Sequence, residues 1–418
     1  MAQYNQVTPE IVERLQASAP GRVYTGADVN EDYSRDETPI YGTRMPDVAI
    51  DAMSTEEISA IMKICNENHI PVTCRGAGTG LAGACTPIAG GVVICTMKMK
   101  KILSYDTDNF TVTVQPGVLL NDLAEDALKQ GLLYPPDPGE KFATLGGNVS
   151  TNAGGMRAVK YGSMTVVLPS GEVVKFGSSV SKTSSGYSLL NLMIGSEGTL
   201  GIITELTLKL IPAPKVTVSL IVPYESLPDA IATVPQFKKA HMNPQALEFF
   251  EREILISSEE YLGKAVFPRN VGGTDVGAYL LVTFDGETQE EIDAIVEKAA
   301  ELVLDAGALD VLVADTPAKM KDAWAARSSF LEGIEEQTKL LDECDVVVPT
   351  SRIADFVGYV KSIEPEFGFA VKSFGHAGDG NLHIYTCAND MELDEFKKQV
   401  DTFMTKIYDK ATEMGGLV

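Results

Sequence analysis

Apolar and polar positions recur with different periods along the chain, and the changes of period divide it into elements. Behind Thr8 and Pro9, residues 8–15 repeat their apolar positions at helical spacing, and the Thr-Pro pair is a helix-start signal. A polar stretch, VNEDYSRDET, separates this from an apolar run, VAIDA, that predicts a strand. Ser54-Thr55-Glu56-Glu57 has the form of a capping box and opens a helix to about residue 68, after which IPVTCR predicts the next strand. These three make one β-α-β unit. Strand VVICTM follows, then the alternating ILSYDTDNFTVTVQPGV and a helix over 119–130. TVVLP and GEVVKFG predict a hairpin turning at Ser170-Gly171, and LGIITELTLKLIP a further strand. Pro212 and Pro214 mark a boundary, so the expected domains are residues 1–213 and 214–418.

Beyond the boundary the pattern reads strand VTVSLIVPY, helix 226–239, strands PQALEFFE and AYLLVTFDG, helix 289–306 and strand ALDVLVAD. Two β-α-β passes in this order predict a ferredoxin-like antiparallel sheet with helices on one face. A long helix over 316–339, strand CDVVVP, a helix over 353–363, strands FAVKSFGHAG and NLHIYTCA, and an amphipathic helix from about residue 392 extend it. The fold class read from this order is α+β.

Length agrees with two domains, because 418 residues exceed what one ordinary core accommodates. With 58 Asp plus Glu against 34 Lys plus Arg, the formal charge is −24. Such a surface repels nucleic acid and anionic lipid, which excludes both as partners and leaves a solvated acidic face or a docking face for a basic protein. The six cysteines stand singly, without the clustered spacing of metal or iron–sulfur ligation, as expected of buried thiols in a reducing compartment. The first residues carry no basic and apolar leader, and no apolar run approaches the roughly 18 residues of a transmembrane segment, so the expected location is cytoplasmic.

Three glycine-rich stretches carry the candidate chemistry of the first half. Arg75-Gly76-Ala77-Gly78-Thr79-Gly80 follows a strand directly, and close-spaced glycines let backbone N–H groups approach an anion such as a pyrophosphate. More loop follows instead of a helix, so this is not a Rossmann fingerprint. The second stretch runs from Pro136 and Asp137 through Thr144, Gly146, Gly147 and Asn148 to Thr151, Asn152, Gly154 and Gly155, offering small hydroxyl and amide groups to a flat polar ligand. Glu197, Gly201 and Ile202 belong to the third, GSEGTLGIIT. Each stretch read alone is also compatible with a simple turn.

In the second half, His376 and His383 frame GHAGDGNLH, a glycine-rich bend between two predicted strands. An imidazole pair converging across it suits a divalent metal or acid–base chemistry, or two structural histidines. His69 and His241, at helix or loop ends, read as structural.

RGAGTGLAG, LGGNVSTNAGGMRAVKYG and GSEGTLGIITE, in this order, resemble the three flavin-binding loops of the vanillyl-alcohol-oxidase-type flavoproteins, within the branch of glycolate oxidase, D-lactate dehydrogenase and D-2-hydroxyglutarate dehydrogenase. The resemblance spans nearly the whole chain. It implies a two-part FAD-binding domain followed by a substrate or cap domain, with FAD held by the residues named above together with Asn381. Thr79 stands where relatives with covalent flavin carry histidine, which implies non-covalent FAD. GHAGDGNLH resembles the GH-x-GDGN-x-H signature, whose histidines, here His376 and His383, bind a divalent metal such as zinc, iron or manganese with a Glu from a later Ser-x-Glu-His-Gly segment. The sequence stops at Gly415-Gly416-Leu417-Val418, where that segment is expected to begin, and Lys160-Tyr161-Gly162-Ser163-Met164-Thr165 is shorter than its counterpart in relatives.

Arg327 resembles the substrate-binding arginine of the family, its planar fork matched to a carboxylate; a surface salt bridge is the other reading of it. Leu331 and Glu343 stand where relatives acting on dicarboxylates carry Thr and Lys, which favours lactate or glycolate over 2-hydroxyglutarate. The resemblance thus implies a dehydrogenase with His376, His383 and Arg327 as catalytic residues. By the same resemblance its expected electron acceptor is an electron-transfer flavoprotein, a separate iron–sulfur subunit or a quinone. The alternatives are a D-2-hydroxyglutarate dehydrogenase, an enzyme of alkyl-glycerone-phosphate type, or a non-catalytic FAD-binding subunit of a glycolate oxidase.

Overall fold

The computed structural model describes residues 4–37, 42–136, 138–154, 161–178, 180 and 186–418. It divides into two compact units, Met1–Ala213 and Pro214–Val418.

In the first unit, α1 (Pro9–Ser18), β1 (Val23–Thr25), β2 (Val48–Asp51), α2 (Thr55–Glu67), β3 (Val72–Arg75) and β4 (Val92–Cys95) form a four-stranded sheet of order β1-β2-β4-β3 and its covering helices. Strands β2 and β3 both run parallel to β4 and flank it. The β-α-β unit expected here is therefore split by a later strand. Every residue of β2 and β4 is buried, as in sheets covered on both faces. Leu15, Ile58 and Ile61 pack onto Ile50, Val92 and Ile94. The expected capping box is half formed: the Ser54 hydroxyl accepts from the Glu57 N–H. The Glu57 carboxylate instead accepts from the Met53 N–H at 2.8 Å and pairs with Arg22 at 2.5 Å.

Next come β5 (Ile102–Asp106), β6 (Thr111–Val114), α3 (Leu120–Lys129), β7 (Leu132–Leu133), α4 (Leu145–Ser150), β8 (Tyr161–Val167), β9 (Val173–Gly177), α5 (Leu189–Met193), β10 (Ile202–Lys209) and β11 (Ile211–Pro212). Their main sheet is antiparallel, in the order β5-β6-β10-β8-β9, and β7 pairs with β11. The hairpin expected at Ser170-Gly171 is β8–β9. The glycines of α4 predict a loop, but Thr144 caps a helix there and Gly146 packs on Pro116, where a β-carbon would lie 2.5 Å from Pro116 Cβ.

The second unit contains β12 (Val216–Tyr224), α6 (Leu227–Lys239), β13 (Ala246–Glu251), α7 (Arg252–Leu262), β14 (Asn270–Val271), β15 (Thr274–Asp275), β16 (Ala278–Gly286), α8 (Gln289–Asp305), β17 (Leu312–Ala314), α9 (Pro317–Ser328), α10 (Phe330–Glu336), β18 (Leu340–Val347), α11 (Ile353–Ile363), β19 (Ala370–His376), β20 (Asn381–Ala388) and α12 (Leu393–Glu413). Seven strands form one antiparallel sheet, β17-β12-β16-β13-β19-β20-β18. Its first four strands follow the ferredoxin-like order, and the last three extend it on the β13 side.

Helices cover both faces of this sheet, not one. Phe237 of α6 meets Phe284 of β16. By alternation, Tyr279 and Leu281 turn the other way, into a core shared with α7, α9 and α10. Helix α7 was missed, although its periodic Ile254 and Leu255 and the left-handed Gly263 at its end are helix signals. The long helix expected over 316–339 breaks at Ser329. At the break Phe330 enters the aromatic cluster, 5.0 Å from Phe250, and Gly333 closes on the Ser257 backbone, 2.8 Å from where a β-carbon would stand.

Candidate functional site

The first unit brings its three glycine-rich stretches together. A β-carbon on Gly76 would lie 2.3 Å from Thr144 Oγ1, so the first stretch touches the second at the cap of α4. The second touches the third through backbone: Gly195 N–H donates to the Val149 carbonyl at 3.1 Å and Glu197 N–H to the Ser150 carbonyl at 2.8 Å. The third returns to β3, since a β-carbon on Gly198 would lie 3.2 Å from Cys74 Cβ. Asn152 and Glu197 hold φ near +54° and +52°, a conformation rare outside glycine that concentrates at functional loops.

Beside the first stretch, Arg75, Gly76, Ala77 and Gly78 line a concavity of about 440 Å³ together with Tyr33, Asp51 and Lys98. The Arg75 side chain lies against Gly78, donates to the Arg35 carbonyl at 2.5 Å and sits over the Tyr33 ring. The Gly80 carbonyl accepts from Glu37 N–H at 3.1 Å. Thr144 accepts from Gly147 N–H, and Thr151 Oγ1 donates to the Gly147 carbonyl. Gly201 packs against Val166 as β10 begins at the buried Ile202. Pro136 is buried, whereas Thr79 and Gly154 are partly exposed. Asp137 and Gly155 lie outside the described residues. Asn148 is 5 % exposed and its Nδ2 has no partner among the described residues. A buried amide donor left open beside glycine backbone suits a polar ligand, and these residues fit FAD on that ground.

The second unit assembles the other group on one face of its sheet. Glu248 of β13 stands opposite His376 of β19, and His383 of β20 stands between Phe374 of β19 and Asp345 of β18. Alternation sends all of these side chains to the same side. His376 Nδ1 lies 2.7 Å from Glu248 Oε1, and Arg327, reaching down from α9, places Nη2 at 2.6 Å and Nε at 2.9 Å from Oε2. The Arg327 guanidinium also stacks over Phe374, 4.7 Å from the ring centre. The His376 and His383 rings meet edge to face with centres 5.4 Å apart. His383 Nδ1 is 2.6 Å from Asp345 Oδ1 but outside hydrogen-bonding geometry. Asn381 opposes His376 at the head of β20.

Both units resemble known proteins. The family pattern described as FAD binding domain matches residues 46–177, and the one described as FAD linked oxidases, C-terminal domain, matches residues 213–418. A D-lactate dehydrogenase of Anaerostipes hadrus is 65 % identical over 423 residues, covering 100 % of this chain and 89 % of its own.

The chain belongs to the FAD-linked oxidases.

Glycolate oxidase subunit GlcD of Bacillus subtilis (strain 168) is 36 % identical, over 99 % of this chain and 88 % of that one. Among solved structures, p-cresol methylhydroxylase superposes with a TM-score of 0.79 at 18 % identity, covering 98 % of this chain and 88 % of that one. That likeness carries the fold alone, an α+β flavoprotein fold in two domains. This FAD-linked oxidase is an FAD-binding oxidoreductase, and none of its described helices is long and apolar enough to cross a membrane.

Electrostatics separate the acidic groups of this oxidase's second unit. Burial alone would push Glu248 up, but the adjacent His376 imidazole and Arg327 guanidinium outweigh it and hold the carboxyl at about 2. Burial prevails at Glu343, which is pushed up to about 7. For His383 burial opposes the charge, yet the adjacent Asp345 raises the imidazole above its ordinary range.

Glu248 and Asp345 were not singled out from sequence. The signal for Glu248 was a lone carboxylate inside the apolar run ALEFF, which an interior strand tolerates only when the charge is paired.

Proposed function

We propose that this oxidase converts a small 2-hydroxy acid, D-lactate or glycolate, to the 2-oxo acid. The observation that carries the reading is the Arg327–Glu248–His376 assembly, in a chain 65 % identical to a protein named D-lactate dehydrogenase. Support for glycolate comes from the relative named glycolate oxidase subunit GlcD.

Bound non-covalently by the three converging loops, FAD supplies the acceptor for the hydride leaving the substrate α-carbon. The residues proposed to hold it are Arg75 to Gly80, Pro136, Asp137, Thr144, Gly146 to Asn148, Thr151, Asn152, Gly154, Gly155, Glu197, Gly201, Ile202 and Asn381. Arg327 uses Nε and Nη2 on Glu248, so its remaining N–H groups are left for the substrate carboxylate. With Nδ1 of His376 facing a carboxylate, Nε2 keeps its lone pair and can take the hydroxyl proton. Electrons leaving the reduced protein pass to a protein acceptor such as an electron-transfer flavoprotein or an iron–sulfur subunit.

Of the expected metal-binding pair His376 and His383, His376 has Nδ1 on Glu248 and Nε2 kept for the proton, so the metal ion is proposed on the His383 side. Ligand atoms of Glu343, Asp345 and His383 lie within 4.8 Å of one another; among the described residues Glu343 Oε2 is buried without a hydrogen-bond partner, and His383 Nδ1 faces Asp345 Oδ1 at 2.6 Å. That donor set of oxygen and imidazole would hold a zinc, iron or manganese ion and polarise the substrate hydroxyl.

The deciding experiment mixes FAD-loaded protein with a dye acceptor and a panel of D- and L-2-hydroxy acids. Dye reduction with D-lactate or glycolate is expected. A yellow, folded preparation that reduces no dye with any of them would end the reading.

A further inference from the structure

Glu248 is 1 % exposed, yet both groups it touches reach the surface, Arg327 with 11 % and His376 with 17 % of the side chain exposed. One carboxylate thus pins the inner ends of a guanidinium and an imidazole that both stay partly accessible. Stability alone does not call for this arrangement. Desolvating such ions costs several kcal/mol each, and apolar replacements of buried ion pairs are often neutral or stabilising.

We propose that Glu248 is a positioning residue that holds His376 in its Nδ1–H tautomer and aims Arg327 in the same stroke. An ionised carboxylate only accepts hydrogen bonds, so the nitrogen 2.7 Å from Oε1 must carry the proton and Nε2 must be the open one. The hold is set by the sheet register, because Glu248 and His376 are direct partners on neighbouring antiparallel strands. The next turn is tied to the same place, with Gly378 N–H donating to the Leu247 carbonyl at 3.3 Å. Arg327 then has one edge committed to Oε2 and its plane against Phe374, which leaves a single orientation for the other edge. The part of the proposal that concerns catalysis rests on the 2-hydroxy-acid reading above.

Glutamine at 248 is nearly isosteric but accepts through one oxygen only. Its NH2 must face either His376 or Arg327: facing Arg327 it removes that anchor, and facing His376 it removes the 2.7 Å contact and leaves Nδ1 only the longer one of 2.9 Å at the Oε2 position. The chain has only four histidines, which makes nitrogen-15 histidine spectra of the FAD-loaded protein assignable with H376N and H383N controls.

The expected results are an Nδ1–H signal for His376 in the native protein and its loss in Glu248→Gln. For the proposed substrates, kcat should fall about 10- to 100-fold, the range typical when an orienting partner of an imidazole is removed. Glu248→Asp should recover part of both losses, while FAD content and near-ultraviolet circular dichroism stay unchanged. Should Glu248→Gln not fold, Glu248→Asp read against the native protein serves alone, with a weakened Nδ1–H signal and a raised KM expected. An Nε2–H tautomer in the native protein, or a variant whose spectrum and kinetics match the native ones, overturns the proposal. A native protein that oxidises no 2-hydroxy acid removes the catalytic reading only; the tautomer still decides whether Glu248 holds His376.

Discussion

Gly76 and Thr144 lie 68 positions apart in the chain, yet a single methyl group could not be inserted between them: a β-carbon on Gly76 would stand 2.3 Å from the Thr144 hydroxyl. That contact joins the first glycine-rich stretch to the cap of α4. Gly76→Ala must push the two apart, at about 1–3 kcal/mol for an overpacked site. A lower melting temperature and at least about 10-fold weaker FAD uptake, read by flavin fluorescence quenching, are expected.

Asn148 separates ligand binding from folding. Its amide nitrogen is buried without a partner among the described residues, so Asn148→Ala removes a donor that makes no hydrogen bond there in the FAD-free chain. Stability without flavin should change by less than about 1 kcal/mol, while FAD affinity falls about 10-fold. Equal FAD affinity in the variant and the native protein would contradict this placement.

Arg327 acts on both stability and substrate. Arg327→Ala strands the Glu248 carboxylate in the core without its guanidinium partner, and a loss of about 3–5 kcal/mol is expected in denaturant titration. Arg327→Lys keeps the charge but not the fork. It should fold, with KM for a 2-hydroxy acid raised about 10-fold or more and a smaller change in kcat.

Glu57 supplies a pH test away from the site. Its hydrogen bond with Arg22 holds the carboxyl below its ordinary value. A carboxyl depressed on folding stabilises the native state above its unfolded pKa, near 4.3, and that contribution is lost as pH falls through the folded value. Glu57→Gln should therefore lower stability at pH 7 by about 1 kcal/mol, and the gap to the native protein should close below about pH 4. A gap that is constant over that range would mean that Arg22 and Glu57 do not couple.

Much of this was legible in the residue pattern because local physics sets it. Helix α11 was read with its observed ends, since an apolar stripe at helical spacing names the buried face whatever covers it. The strands around His376 and His383 were equally plain. Where local signals conflict with packing the reading failed: the glycines of α4 argue for loop, and only their close approach to Pro116 and Thr144 makes them compatible with a helix. Ser329 carries no strong breaker, and the halt there comes from Phe330 and Gly333 meeting α7 and the aromatic core.

By itself the sequence determined the α+β class, the break in pattern near Pro212 and the residue types at the candidate sites, because periodicity, caps and glycine loops act between residues close in the chain. Tertiary structure alone decided that β4 enters between β2 and β3, that helices cover both faces of the second sheet, and that Glu248 lies under His376 and Arg327. Those outcomes depend on strand order and register, which bring together residues 128 and 79 positions apart, and no local periodicity encodes such distances.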